Sequence, residues 1–198
     1  MNPAPPIQVC IACSIFRNEI NRLQAEAKLE IPVRFLGSML HMVPEKLEKK
    51  LQVVVEEERA KGHEIVLAYG DCCPNMSGIG SAEGVVRTQG FNCPEIFLGK
   101  EAYRNLRREG VFFLLPEWTL MWREVFQGTL GLQGQTAQDF MKEMHSKIVY
   151  LDTGLVPVPE NELAEMAEYC GLPVERMKVS LEPLLESLRK AITRIPHE

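Results

Sequence analysis

The sequence predicts an α/β protein built on a single open, mostly parallel sheet with helices on both faces. Two observations lead there. Short, continuous apolar runs, such as Ile7 to Cys13 and Glu64 to Tyr69, alternate with amphipathic stretches of helical period. Strands separated by helical patterns of about 10–15 residues are the mark of βαβ units, which bring a parallel sheet with them. The composition agrees, since 45% hydrophobic and 25% charged residues over 198 positions describe an ordinary globular chain. A chain of this length buries most of its surface without staples.

Ile7 to Cys13 is a buried strand, followed by an amphipathic helix from about Arg17 to Leu29, and Val33 to Leu36 is a second strand. Pro44 sits at the favoured first-turn position of a helix that Leu47, Leu51, Val54, Val55 and Glu58 continue and Lys61-Gly62 ends. Glu64 to Tyr69 is the third strand. Val111 to Leu115, bounded by Gly110 and Pro116, is the fourth; Lys147 to Leu151 is the fifth and Met177 to Val179 a sixth. Helices are predicted from Glu160 to Cys170 and from Glu182 to Ile195. Between Thr119 and Ser146, Gly128, Gly131 and Gly134 interrupt a helical pattern and predict two helices joined by a flexible loop. The result is a Rossmann-like sandwich, one domain over 7–198, preceded by a loose arm of residues 1–6 that carries Pro3, Pro5 and Pro6.

Charge narrows the partners. Lys plus Arg number 22 against 27 Asp plus Glu, a net charge of -5, so no broad basic surface is available to neutralise phosphates and no nucleic acid is expected as a partner. Nowhere do the ~18 consecutive apolar residues of a membrane span occur. The first residues lack the charged region of a secretory signal, so a cytoplasmic protein is expected. Six cysteines in such a chain are reduced thiols by default, with metal ligation or redox chemistry as the alternative.

In open parallel sheets ligands bind beyond the carboxyl ends of the strands. The residues at those ends are Cys13, Ser38 to His41, Asp71-Cys72-Cys73, Pro116-Glu117-Trp118 and Asp152-Thr153-Gly154. Cys10 and Cys13 have CxxC spacing, but in an extended strand side chains three apart face opposite ways. Cys13, at the strand end, reaches the crevice; Cys10 packs mid-strand as a small hydrophobe. Cys170 is a buried helix-face thiol just before Gly171. Cys72 and Cys73 lie in a loop of turn formers, and Cys93 follows in the similar loop FNCPE. Thiolates from several loops converging on one point are what a metal or cluster needs, the alternative being unrelated buried or reactive thiols. Adjacent cysteines diverge, so one of Cys72 and Cys73 joins such a site and the other stands beside it. His41, directly after a strand, is an acid/base or a fourth ligand, or else an exposed loop histidine. Gly78, Gly80 and Gly84 resemble a dinucleotide-binding pattern, but they lie well past the strand and read better as a loop entering a helix near Ser81. No nucleophile-elbow spacing supports a hydrolase triad.

The segments VCIACSIFRNEI, VRFLGSMLHMVPEKL, IVLAYGDCCPNMSGIG, NCPEIFLGKEAY and VFFLLPEW resemble the uncharacterised DUF1638 family, in detail over roughly positions 8–125. The elements that carry the resemblance are Cys13 with Glu19, Leu40-His41 before Pro44, Tyr69-Gly70 with Cys72, and Cys93 ahead of Leu98-Gly99. This chain has Ser14 and Cys73 where the family usually has Gly. The resemblance nominates Cys13, Cys72 and Cys93 as one set. It also implies an association with corrinoid-dependent methyl-transfer systems, and so a corrinoid or methyltransferase protein as a partner beside a small-molecule substrate. The chain itself has no Asp-x-His-x-x-Gly signature of corrinoid binding.

Three functional classes are expected from these residues. The first is a lyase, desulfurase or group-transfer enzyme with a [4Fe-4S] cluster on three cysteines and an open iron, using Glu19, His41 or Tyr103 as acid or base. This class is slightly preferred, because the thiols come from separate loops without a paired knuckle. The second is a zinc-thiolate protein serving methyl transfer, with Cys13, Cys72, Cys93 and His41 as ligands. The third is a non-catalytic accessory module that binds a ligand.

Overall fold

The structure is a computed structural model in which residues 7–194 are described. The expected arm at 1–6, and Ile195 as the end of the last helix, therefore lie outside the described residues. The chain divides into two compact units, one made of the described residues up to Gly99 with those from Leu181 onward, the other of Lys100–Ser180. The mostly parallel, Rossmann-like α/β class is as predicted, and the strands are divided between two parallel sheets, one in each unit. Apolar periodicity marks strands but not their pairing, and a βαβ alternation runs on unchanged across a break between sheets.

The first unit contains β1 (Gln8–Cys13), a 3₁₀ turn (Ser14–Phe16), α1 (Arg17–Ala25), β2 (Val33–Leu36), a second 3₁₀ segment (Ser38–Met42), α2 (Pro44–Ala60), β3 (Glu64–Ala68), α3 (Met76–Gly80), β4 (Val85–Arg87) and α4 (Cys93–Leu98). Its strand order is β2-β1-β3-β4 and every pairing is parallel. Central β1 and β3 are almost wholly buried, which is why they read as continuous apolar runs rather than alternating ones. Helix α1 stops short of the expected Leu29, and Ala27 beyond it has the left-handed φ of 52° that ends a helix. Strand β4, with three residues, was hidden from periodicity. The expected helix entry near Ser81 is instead a helix exit, since α3 ends at Gly80 and the strand follows.

One buried charge on α2 ties this unit together. Glu58 is 3% exposed, and its carboxylate accepts from Arg34 on β2 at 2.5 Å, Lys61 at 2.8 Å and His63 Nδ1 at 2.7 Å. Lys61, then Arg34 and His63, hold its pKa down at about 2 against the opposing effect of burial. A carboxyl depressed from an ordinary 4.5 stabilises the fold above pH 4.5, and that stabilisation is lost as pH falls through about 2. Counting the water around half-exposed Arg34 and Lys61, the contribution is about 1–2 kcal/mol. Urea unfolding of Glu58→Gln should show that deficit at pH 7, narrowing between pH 4.5 and 2. An unchanging gap across that window would mean that Glu58 is not stabilising through its charge.

The second unit contains α5 (Lys100–Arg108), β5 (Val111–Leu114), α6 (Pro116–Leu120), a π-helical turn (Glu124–Thr129), α7 (Gly134–Met144), β6 (Lys147–Asp152), α8 (Glu160–Cys170) and β7 (Val174–Lys178). Its sheet runs β5-β6-β7, again parallel. Strand β7 starts three residues before the expected Met177 because its Glu175 and Arg176 are exposed at the sheet edge and interrupt the apolar signal. Arg176 donates to Asp152, at the end of β6, at 2.7 and 2.9 Å. The final helix α9 (Glu182–Thr193) returns to the first unit and buries Leu184, Leu185, Leu188 and Ala191. Among the described residues no helix is long and apolar enough to cross a membrane.

Candidate metal centre

The order β2-β1-β3 sends the chain first to one side of β1 and then to the other. The topological switch point therefore lies between the carboxyl ends of β1 and β3, where open α/β sheets leave a crevice. Cys13 is the last residue of β1, and Cys72 follows β3 by four residues.

Three further contacts shape this edge. The Ser38 backbone N–H, at the start of the segment that carries His41, donates to the buried Ser14 hydroxyl at 2.8 Å. That bond ties the end of β1 to the segment after β2. The loop after β3 meets the loop before α4 through the Asp71 N–H, which donates to the Phe91 carbonyl at 2.8 Å. Arg87 on β4 pairs with Asp71. On the other side of that junction Asn92 caps α4 by accepting from the Glu95 N–H at 3.0 Å, while the Glu95 carboxylate accepts from the Phe91 N–H at 2.9 Å. This reciprocal cap fixes Cys93 in the first turn. Stacking of buried Phe16 on Phe97, with centroids 6.2 Å apart, packs α4 against the turn after β1.

The outcome is a line of hydrogen-bonded donors. Cys93 contacts both Cys13 and Cys72, and Cys72 contacts His41. Cys93 together with His41 and the Gly70 backbone holds the Cys72 thiol down at about 5, although burial opposes this. Cys93 moves the other way: the neighbouring Cys13 and Cys72 sulfurs and its own burial push it well above the ordinary thiol range. One thiolate is thus favoured within the set and sits next to an imidazole. The contacts form an open chain rather than a closed polyhedron, and among the described residues no three His, Cys, Asp or Glu side chains stand as a ready-made metal group.

The remaining nominated residues have surroundings of their own. Cys73 is 8% exposed and pushed up to about 11 by burial and by the charge of Glu48, with a backbone hydrogen bond at Asn75. Cys10 is fully buried mid-strand and pushed up to about 12 by that burial; Cys170 is likewise buried, at about 11. Glu19 is buried in the first turn of α1. Tyr103 belongs to the second unit, where its ring stacks on Phe113 at 5.4 Å.

Two residues of this edge had no chemical role in the sequence reading. Gly70 has no room for a Cβ, which would lie 2.5 Å from the Asn92 Cα and 2.6 Å from the Phe91 oxygen. Tyr69, at 1% exposure, has a hydroxyl without a hydrogen-bond partner among the described residues, and the charges acting on it are those of Cys13, Cys93, Cys72 and Cys10. A buried polar atom left unsatisfied beside a set of soft donors is consistent with a group bound there. The donor set suits a thiophilic metal.

Fold and site together define an α/β protein that presents three thiols and an imidazole at the switch point of a parallel sheet. The chain belongs to the DUF1638 family, described as a protein of unknown function, whose sequence model matches residues 35–188. That span contains His41, Cys72 and Cys93 and begins after Cys13 and Glu19. No curated protein and no solved structure matches the chain.

Proposed function

We propose that this protein is a metal-dependent enzyme acting on a small molecule at a centre held by Cys13, Cys72 and Cys93. The observation that carries this is the contact of three sulfurs, each from a different strand-end segment, at the crevice where the fold binds ligands. The hydrogen-bond contacts of Cys93 with Cys13 and Cys72 favour a single zinc ion first. Tetrahedral zinc with Zn–S bonds of ~2.3 Å sets its sulfurs ~3.8 Å apart, which is thiol-to-thiol hydrogen-bond reach. The cysteine sulfurs around a four-iron cube stand wider. A [4Fe-4S] cluster remains the second form, favoured by the open rather than closed arrangement of the donors and by their origin in separate loops.

Either centre would supply Lewis acidity at a position that the three cysteines leave free. The chain's own residues do the rest. The thiolates anchor, and His41, hydrogen-bonded to the Cys72 sulfur, moves a proton there or serves as a fourth ligand. The burial of Cys13 and Cys72 keeps bulk water away from their sulfurs. The corrinoid-dependent partner implied by the family resemblance fits a zinc-thiolate that activates a thiol for methyl transfer, and it stands as part of this proposal.

Metal analysis of anaerobically purified protein tests it. Colourless protein with about one zinc per chain supports the first form; brown protein with iron and sulfide supports the second. Protein with neither metal, and unable to take one up, would sink the enzyme proposal in favour of a non-catalytic ligand-binding module. His41→Gln should keep the unfolding midpoint while weakening zinc about 10–100-fold, the range for loss of an outer partner of a metal ligand. Unchanged zinc affinity in that variant would reduce His41 to a loop residue.

A further inference from the structure

Tyr69 directly follows β3, one residue before the glycine where the two cysteine loops meet. Its ring is among the largest fully buried groups of the protein, and its hydroxyl finds no hydrogen-bond partner among the described residues. A hydroxyl has one proton to donate, and leaving it unused in a dry interior is unfavourable unless an acceptor arrives. The groups around it identify that acceptor, since those whose charge acts on Tyr69 are Cys13, Cys93, Cys72 and Cys10. A neutral thiol is a weak acceptor. Metal binding strips the proton from each ligating cysteine and turns it into a strong one. Three thiolates on one divalent ion also leave a net negative charge in a buried place, which a neutral donor offsets without adding a second buried charge.

We propose that Tyr69 is the hydrogen-bond donor to the metal-loaded thiolate set, a positioning residue whose hydroxyl is satisfied only when Cys13, Cys72 and Cys93 hold a metal. This rests on the metal reading above but not on which metal is bound, because a hydrogen bond to a ligating sulfur tunes a zinc-thiolate and an iron–sulfur centre alike. The hydroxyl contributes nothing to the metal-free fold, so its removal separates binding from folding.

The experiment compares Tyr69→Phe with the unaltered protein, using zinc alone as the probe. Zinc affinity is measured by competition with a chromophoric chelator, metal-free stability by urea unfolding, and hydrogen bonding by the near-ultraviolet tyrosine difference spectrum on zinc addition. Tyr69→Phe should bind zinc about 10–100-fold more weakly, unfold at the same or a higher urea concentration when metal-free, and lose the zinc-induced tyrosine signal. Equal zinc affinity in the two proteins would overturn the inference while leaving the metal centre standing. A metal-free Tyr69→Phe that unfolds earlier would overturn it too, by showing that the hydroxyl serves the fold. Failure of the unaltered protein to bind zinc or to accept an iron–sulfur cluster would remove the metal reading itself.

Discussion

Replacing Cys13, Cys72 or Cys93 singly by Ser should weaken metal binding by about two to three orders of magnitude, whereas Cys10→Ser, Cys73→Ser and Cys170→Ser should leave metal affinity and stoichiometry intact. The asymmetry follows from geometry. Cys93 touches both Cys13 and Cys72, so each of the three belongs to one contiguous set. Cys10 is walled into the β1–β3 core and Cys170 ends a helix of the other unit. Structural zinc binding is worth about 10–16 kcal/mol over four ligands, so losing one thiolate removes about 2.5–4 kcal/mol, roughly 60- to 700-fold in affinity. Cys10→Ser carries a different penalty: a hydroxyl placed where the thiol is fully buried destabilises by about 1–3 kcal/mol. Stoichiometry must therefore be read on protein shown to be folded. If folded Cys10→Ser lost its metal, or if Cys93→Ser bound it with unchanged affinity, the set would be wrongly drawn. The comparison also decides between Cys72 and Cys73. Adjacent residues that sequence alone left interchangeable have opposite environments, one thiol held near 5 by its partners and the other pushed to about 11.

What the sequence revealed of this candidate site was the strand ends that carry its residues, and what it hid was the contacts between them. Strand ends are legible because buried parallel strands are apolar and stop at turn formers. Cys13, His41 and Cys72 could therefore be set on one sheet edge without knowing which strands pair. Cys93 was harder, since it follows the three-residue strand β4, too short to show a period, and its position depends on the Asn92–Glu95 cap and on contacts made far away in sequence. Tyr69 read as the last apolar residue of a strand; only the absence of a partner for its hydroxyl, which no sequence shows, distinguishes it from a core ring. The division of the strands between two sheets was hidden for a related reason. Strands β3 and β5 look alike as apolar runs, yet β5 pairs with β6 and never joins the first sheet. Glu58 is a third example. Its place on the apolar face of α2 was plain, but its burial depends on Arg34, Lys61 and His63 arriving from other segments.

Gly70→Ala should cripple the site without touching any thiol. The φ at Gly70 is not the reason, because the left-handed glycines lie elsewhere; space is. An added Cβ would meet the Asn92 Cα at 2.5 Å, the Phe91 oxygen at 2.6 Å and the Asn92 nitrogen at 2.9 Å, all of them backbone. Backbone atoms cannot rotate aside as a flexible side chain would, so the Asn92–Cys93 segment must move away from the loop after β3. That movement stretches the bond from the Asp71 N–H to the Phe91 carbonyl and parts Cys93 from Cys72. Overpacking of this kind destabilises by about 1–3 kcal/mol, which corresponds to a fall of roughly 2–12 °C in Tm for a chain of this size. Zinc affinity should fall at least tenfold, since a ligand displaced by even a fraction of an ångström no longer meets the ion at its preferred bond length. Gly37→Ala is the matched control. Gly37 precedes the His41 segment, its Cβ would meet nothing within 4 Å, and its φ of -59° suits any residue, so that change should leave both stability and zinc affinity near their original values. If Gly70→Ala behaved like Gly37→Ala, the close approach of the two cysteine loops would not be what assembles the centre.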